Sequence, residues 1–147
     1  MSFASSNESI EKSLRKLSVQ LRLYGREILK EYKLSKIQFI ALQWVNDSSG
    51  ITIGQVAKNL DLAYSTTTDI IDRLEKNGFV RRERSETDKR LVQVKIEPTG
   101  LELIERVIEK RIEFIEEITQ DLDLNEKELL TKLLEKMMDK SESVRYE

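Results

Sequence analysis

Six basic side chains, Arg81, Arg82, Arg84, Lys89, Arg90 and Lys95, fall within fifteen residues and are interleaved with only Glu83, Glu86 and Asp88. Clustered cations of this kind suit a polyanion. Guanidinium and ammonium groups neutralise phosphates and release their counterions, and a guanidinium fits the narrow minor groove of DNA, where negative potential concentrates. A solvated, charged hairpin would have the same composition. A second polar group lies just upstream. Ser65, Thr66 and Thr68 supply hydroxyls, Asp69 a carboxylate and Arg73 a guanidinium. Short polar side chains near a helix N-terminus reach base edges or phosphates in the major groove; they also simply begin helices. Asp69 suits a cytosine amino group or an ion pair with Arg73 one turn on, and the residues alone leave both open.

Covalent chemistry has little to work with. The 147 residues include no cysteine and no histidine. That removes disulfides, thiolate nucleophiles, thiol-ligated metals and imidazole acid–base catalysis. The paired carboxylates Glu116 and Glu117 stand in an acidic stretch without a metal motif or a glycine-rich loop. The expectation is a protein that is not an enzyme and carries no cofactor or metal. No stretch approaches the roughly 20 apolar residues of a membrane helix, and the N-terminus lacks the basic and apolar regions of a signal peptide, so a cytoplasmic protein without membrane partners is expected. The formal net charge of −2 conceals an uneven distribution: residues 1–51 carry +3, residues 52–96 carry +2 and residues 97–147 carry −7. The acidic load is confined to the last third and leaves a basic surface elsewhere.

The elements that must position these groups are read from periodicity and caps. Ser5 and Glu8 have capping-box spacing. Behind them Ile10, Leu14, Leu17, Leu21, Tyr24 and Ile28 form one stripe on a single long helix. Ser35 with Gln38 caps a second helix carrying Phe39, Leu42 and Val45. Residues 46–50 form a turn, and Thr52 with Gln55 caps a third, short helix. Asp61 and Leu62 connect tightly to a fourth helix, 63–77, stopped by Gly78. On a wheel of about 100° per residue, Ala63, Thr67, Ile70, Ile71 and Leu74 face inward, while Ser65, Thr68, Asp69, Asp72 and Lys76 face outward. The period then changes to two. Residues 81–84 and 91–96 form a hairpin whose buried face is Val92, Val94 and Ile96. Pro98 opens a helix with the stripe Leu101, Ile104, Ile108, Ile112, Ile115, Ile118 and Leu122, and Asn125 with Glu128 caps a last helix rich in leucine and methionine.

Four helices, a hairpin and two helices, with the hairpin directly after a helix-turn-helix, predict a mainly α fold with a small β-hairpin wing. This is a winged helix-turn-helix with long N- and C-terminal helices. The expected organisation is an N-terminal helix over residues 1–34, a DNA-binding lobe over 35–96 and C-terminal helices over 97–147, intertwined as one domain. Leu129, Leu130, Leu133, Leu134, Met137 and Met138 give the last helix a face wide enough to pack on a partner as well as within the chain.

Two stretches carry a resemblance. One is Leu74-Glu75-Lys76-Asn77-Gly78-Phe79-Val80; the other runs from Asp88-Lys89-Arg90 through Val94-Lys95-Ile96 to Gly100 and is similar to the pattern D-x-R-x(3)-V-x-L-T-x(2)-G. With the order of elements from about residue 10 to 140, the chain resembles the MarR family of bacterial transcription regulators. It departs from the pattern at Ile96, for leucine, and at Glu97, for threonine, whose charge still suits a helix N-terminus. The resemblance implies double-stranded DNA as partner, a homodimer reading a pseudo-palindrome, and repression. It implies that Arg90 enters the minor groove and that Asp88 orients it; within such a fold the residue types make Ser65, Thr66, Thr68, Asp69 and Arg73 on the fourth helix and Arg84 and Lys89 on the wing the further candidates for DNA contact. It further implies a small aromatic or anionic effector, for which Tyr24, Tyr32, Phe39 and Trp44 are candidate pocket residues. The other reading of these residues is a winged helix used only for protein contacts.

Overall fold

The computed structural model describes residues 3–144. The elements run α1 (Phe3–Leu23), α2 (Arg26–Glu31), α3 (Lys36–Asn46), α4 (Ile53–Leu60), α5 (Tyr64–Lys76), β1 (Val80–Arg84), β2 (Val92–Ile96), α6 (Pro98–Ile118) and α7 (Leu124–Val144). The chain divides into two compact units, residues 1–111 and 112–147, with α6 running across the division.

The first unit is built on α3, α4, α5 and the hairpin. Two reciprocal capping boxes, Ser35 with Gln38 and Thr52 with Gln55, satisfy the first amides of α3 and α4. Asp61 closes α4 in the left-handed conformation, φ 56°, which a short polar side chain tolerates, and α5 begins three residues later. Thr67, Ile70, Ile71 and Leu74 turn inward from α5 as the wheel predicts, whereas Ala63, expected on the same arc, is the exposed N-cap residue ahead of the first turn. The inward residues meet Leu42, Val45, Val56, Val80, Val94, Leu103 and Val107 in one core. Thr67 is wholly buried, and its hydroxyl donates to the Ala63 carbonyl at 3.0 Å, which removes the cost of an unpaired polar atom. The strands pair antiparallel, with Val80 opposite Ile96, Arg82 opposite Val94 and Arg84 opposite Val92. A bridge between Ile51 and Val94 adds a third extended segment that the turn-like composition of residues 46–50 does not announce. Gly78 takes φ 82° after the C-cap Asn77. Gly100, the last residue of the long motif, is needed for close approach, since a Cβ there would collide with the Phe79 carbonyl.

Several expectations are corrected. Helix α1 already begins at Phe3, ahead of the expected cap at Ser5, whose side chain lies outside the described residues. The first stripe does not lie on one helix. The chain breaks at Tyr24–Gly25, with Gly25 at φ 88°, and resumes as α2. Gly25 is required there twice over, because its φ favours glycine and an added Cβ would lie 2.8 Å from Val107 Cγ1 on α6. Of the predicted hairpin face, Val94 is buried and Ile96 partly so, but Val92 is exposed. It pairs with Arg84 at the open end of the wing, where the ladder has left the core. On α6 the stripe Leu101, Ile108, Ile112, Ile115 and Ile118 is exposed; Leu103, Ile104, Val107 and Phe114 are the buried apolar side chains. The helix carries two apolar stripes, and only Ile104 of the predicted one is buried.

In the second unit, the end of α6 is closed by Thr119, whose hydroxyl donates to the Ile115 carbonyl at 2.7 Å. Asp123, not Asn125, caps α7: Glu126 N–H donates to Asp123 Oδ1 and Asp123 N–H to Glu126 Oε1, at 2.8 and 3.1 Å. The sequence offers both boxes, and the earlier one allows the helix two more residues. Helix α7 has no buried residue; Leu129, Leu130, Leu133, Leu134, Met137 and Met138 are all exposed.

Candidate nucleic-acid interface

On α5 the outward residues Ser65, Thr66, Asp69 and Arg73 are exposed and Thr68 is partly so. The N-cap is Ala63, whose side chain satisfies no amide, so the first-turn N–H groups of this helix are not taken by a cap and are available to an anion. Thr68 Oγ1 donates back to the Tyr64 carbonyl at 3.0 Å and keeps its lone pairs for a donor. Tyr64, on the first turn, is 62% exposed, a large side chain beside the short polar ones that the helix start was expected to present. Among the described residues no ion pair joins Asp69 to Arg73, so the intrahelical pairing that the sequence left open is not formed and both groups face outward unpaired with each other.

The wing is more strongly organised. Asp88 grips Arg90 three times: Arg90 N–H and Nε donate to Oδ1 at 3.1 and 3.0 Å, and Nη2 donates to Oδ2 at 3.1 Å. The Arg90 side chain is nevertheless 90% exposed. A guanidinium held by a planar carboxylate keeps its free edge at a fixed angle toward solvent. The hydrogen bonds from Arg90 lower the pKa of the Asp88 carboxyl from its ordinary value. The loop behind the pair is tied down. Asp88 N–H donates to Ser85 Oγ, Leu91 N–H to the Asp88 carbonyl, and Arg84 Nη1 to the Lys89 carbonyl at 2.7 Å. Arg84 thus shapes the tip, while Lys89 projects from it, exposed. Arg81 and Lys95 are bound along the strands, Arg81 to Glu83 and Glu97 and Lys95 to Glu83. Arg82 is taken by Asp72 and Glu75 of α5. The composition shows six cations in the hairpin region; the fold commits Arg81, Arg82 and Lys95 to internal pairs and presents Lys89 and Arg90.

The four aromatic candidates for an effector pocket differ in their surroundings. Tyr32 packs edge-on against Phe79, with ring centroids 5.9 Å apart, and accepts from Arg106 Nη1 at 3.0 Å. Trp44 is half-buried and Tyr24 exposed. Phe39 lines a cavity of about 130 Å³, together with Arg22, Leu29, Lys36, Ile40, Gln43 and Arg111. The Arg111 guanidinium carbon stands 5.7 Å from the Phe39 ring centroid, and its Nε is buried without a hydrogen-bond partner. Burial, reinforced by the charge of Arg22, lowers the Arg111 pKa from its ordinary value, the mark of a cation lacking a counter-ion. An adjoining cavity of about 210 Å³ shares Arg22, Leu29 and Lys36 and adds Arg26 and Lys30. No lining residue of either cavity is acidic. Sequence reasoning looked for rings and missed these cations, although Arg111 continues the buried α6 spacing 103–107–111–114 and was legible as a charge on an inward face.

Helix-turn-helix, wing and exposed basic tip define a winged helix-turn-helix DNA-binding protein. The MarR family model matches residues 34–92. An uncharacterized HTH-type transcriptional regulator of Bacillus subtilis (strain 168), YsmB, is 38% identical over 128 residues, 87% of this chain and 88% of the relative. The structure of a MarR family protein from Bacillus stearothermophilus superposes with a TM-score of 0.80 at 34% identity, covering 95% of this chain and 98% of the other. At 20% identity, the Staphylococcus aureus MepR–DNA complex shares the fold, with a TM-score of 0.65 over 86% of this chain and 95% of MepR. The chain belongs to the MarR family of HTH-type transcriptional regulators, which are DNA-binding proteins and not enzymes. Among the described residues no helix is long and apolar enough to cross a membrane.

Proposed function

We propose that this regulator is a cytoplasmic repressor that binds a pseudo-palindromic operator as a homodimer and is released by a small anionic, aromatic effector. The observation that carries the DNA reading is the Asp88–Arg90 fork, a guanidinium fixed by three hydrogen bonds and yet 90% exposed at the tip of a basic wing. Helix α5 lies in the major groove, with Ser65, Thr66, Thr68, Asp69 and Arg73 toward bases and phosphates. The wing reaches the adjacent minor groove with Arg90, set by Asp88, while Lys89 meets phosphate and Arg84 braces the tip. MepR in its DNA complex offers a precedent for this fold on DNA.

The test is retention of fragmented genomic DNA by the purified protein at near-physiological salt, followed by sequencing. A short pseudo-palindrome is the expected result. Recovery without sequence preference would defeat the operator reading and favour a winged helix used for protein contacts.

The dimer rests on apolar residues that the chain itself leaves uncovered: Ile10, Leu14 and Leu17 on α1, and Leu129 to Met138 on α7. The effector reading rests on Arg111, whose buried, unpartnered Nε and face-on contact with Phe39 fit a carboxylate attached to a ring. Benzoate, the simplest such molecule, is expected at tenfold its Kd to raise the unfolding midpoint by about 4–5 °C in the native protein and to leave Arg111→Gln unchanged. Equal shifts in both proteins would remove Arg111 from the pocket.

A further inference from the structure

Three carboxylates stand toward solvent on α5: Asp69, Asp72 and Glu75. On a helix laid against DNA each would repel the phosphates, and the sequence gives no reason why a DNA-reading helix should tolerate them. Arg82, on the first strand of the wing, resolves two of the three. Its Nη2 donates to Asp72 Oδ1 and its Nη1 to Glu75 Oε1, while its backbone N–H donates to Glu75 Oε2 at 2.9 Å. One guanidinium thus spans two carboxylates a single helical turn apart. Its side chain is only 27% exposed, against 54% for Asp72 and 38% for Glu75. Arg82 is therefore less exposed than either carboxylate it binds, and both its terminal guanidinium nitrogens donate to them.

We infer that Arg82 is a positioning residue for DNA binding: it acts through Asp72 and Glu75, cancelling their charge so that α5 can approach the phosphate backbone, and does not itself contact DNA. The inference rests on the placement of α5 against DNA proposed above. Two carboxylates left bare on a face turned toward phosphates repel them strongly at low salt and weakly at high salt, because the screening length falls from about 10 Å at 0.1 M to about 3 Å at 1 M. Asp69 has no such partner, which leaves it as the single carboxylate of α5 free to accept from a base.

The experiment uses the full chain and a fluorescent random-sequence duplex of about three helical turns, so that no operator need be known. Affinity is measured against KCl for the native protein, Arg82→Gln, Asp72→Asn/Glu75→Gln and the combination of all three. Arg82→Gln is expected to weaken binding about tenfold at low salt in the native background, with the deficit shrinking as salt rises, and less than about twofold in the neutralised background. Arg82→Lys, which keeps a charge between the carboxylates, is expected to recover most of the loss. Equal losses in both backgrounds would overturn the inference, since Arg82 would then contact phosphate itself or merely hold the fold. So would native affinity in Arg82→Gln. A native protein that ignores the duplex would overturn the DNA reading and this inference together, whereas native binding with Arg82→Gln unchanged overturns this inference alone.

Discussion

Arg90→Ala is expected to weaken binding of a pseudo-palindromic duplex by about a hundredfold while leaving the fold intact. The side chain is 90% exposed and its hydrogen bonds go only to Asp88, so its removal opens no cavity and strands no buried partner. The loss falls on the complex. A specific guanidinium contact is worth about 1–3 kcal/mol, and a twofold protein makes it twice, so about 1.4 kcal/mol per contact, within the lower half of that range, gives a factor of about 10². The slope of log affinity against log salt should fall by about one per protomer, as each lost phosphate-region contact retains its counterions. Arg90→Lys separates charge from shape. A lysine keeps the positive charge but cannot take the two-point grip of Asp88, so it should regain the salt slope and only part of the affinity. Unchanged affinity in Arg90→Ala, measured by fluorescence anisotropy at two salt concentrations, would take the wing tip out of the interface and return the hairpin to a solvated charged loop.

Much of the architecture that places Arg90 is legible in the sequence, because local signals agree there. The capping boxes at Ser35 and Thr52, the tight Asp61–Leu62 connection and the change of period after Gly78 all act over a few residues, and each element formed as its local pattern dictates. What was not legible depends on which of two equivalent surfaces is covered. Helix α6 shows apolar residues on two stripes, and nothing local distinguishes Ile108 and Ile112, which are exposed, from Leu103 and Val107, which are buried. The break at Gly25 is likewise set from outside its own segment: the stripe runs through it without interruption, and the requirement for glycine comes from Val107 on α6. Charge pairing shows the same limit at the site. Composition identifies a basic wing, but the assignment of Arg82 to Asp72 and Glu75, ten and seven residues earlier, needs the antiparallel return of β1 past α5. Nor does composition show that Arg84, a candidate DNA contact, donates from Nη1 to the Lys89 carbonyl while its side chain stays exposed. Its part in the interface is then to hold the loop from which Lys89 and Arg90 project.

The exposed stripes make the second large prediction. The double substitution Leu130→Glu/Leu134→Glu on α7 is expected to leave a monomer of 17.2 kDa in place of a dimer, and to weaken operator binding by about 10²–10⁴. Both leucines lie on one face one turn apart and are 38% and 42% exposed within the chain, so glutamate at these positions is harmless to an isolated chain and intolerable in an apolar interface. Burying an unpaired carboxylate there costs several kcal/mol, and a twofold interface would contain each substitution twice. The DNA effect follows by a different route. Once one half-site is engaged, the second is bound at the high effective concentration set by the partner, and dissociated protomers lose that advantage without losing any contact of their own. Thr131→Glu, which adds a carboxylate beside the stripe, is the control and is expected to remain dimeric. Sedimentation velocity at micromolar concentration reads the first effect and anisotropy on full and half operators the second. A double variant that still sediments as the dimer would move the interface away from α7. A monomeric variant with native affinity for the full operator would show that each wing and α5 bind DNA without help from a second copy.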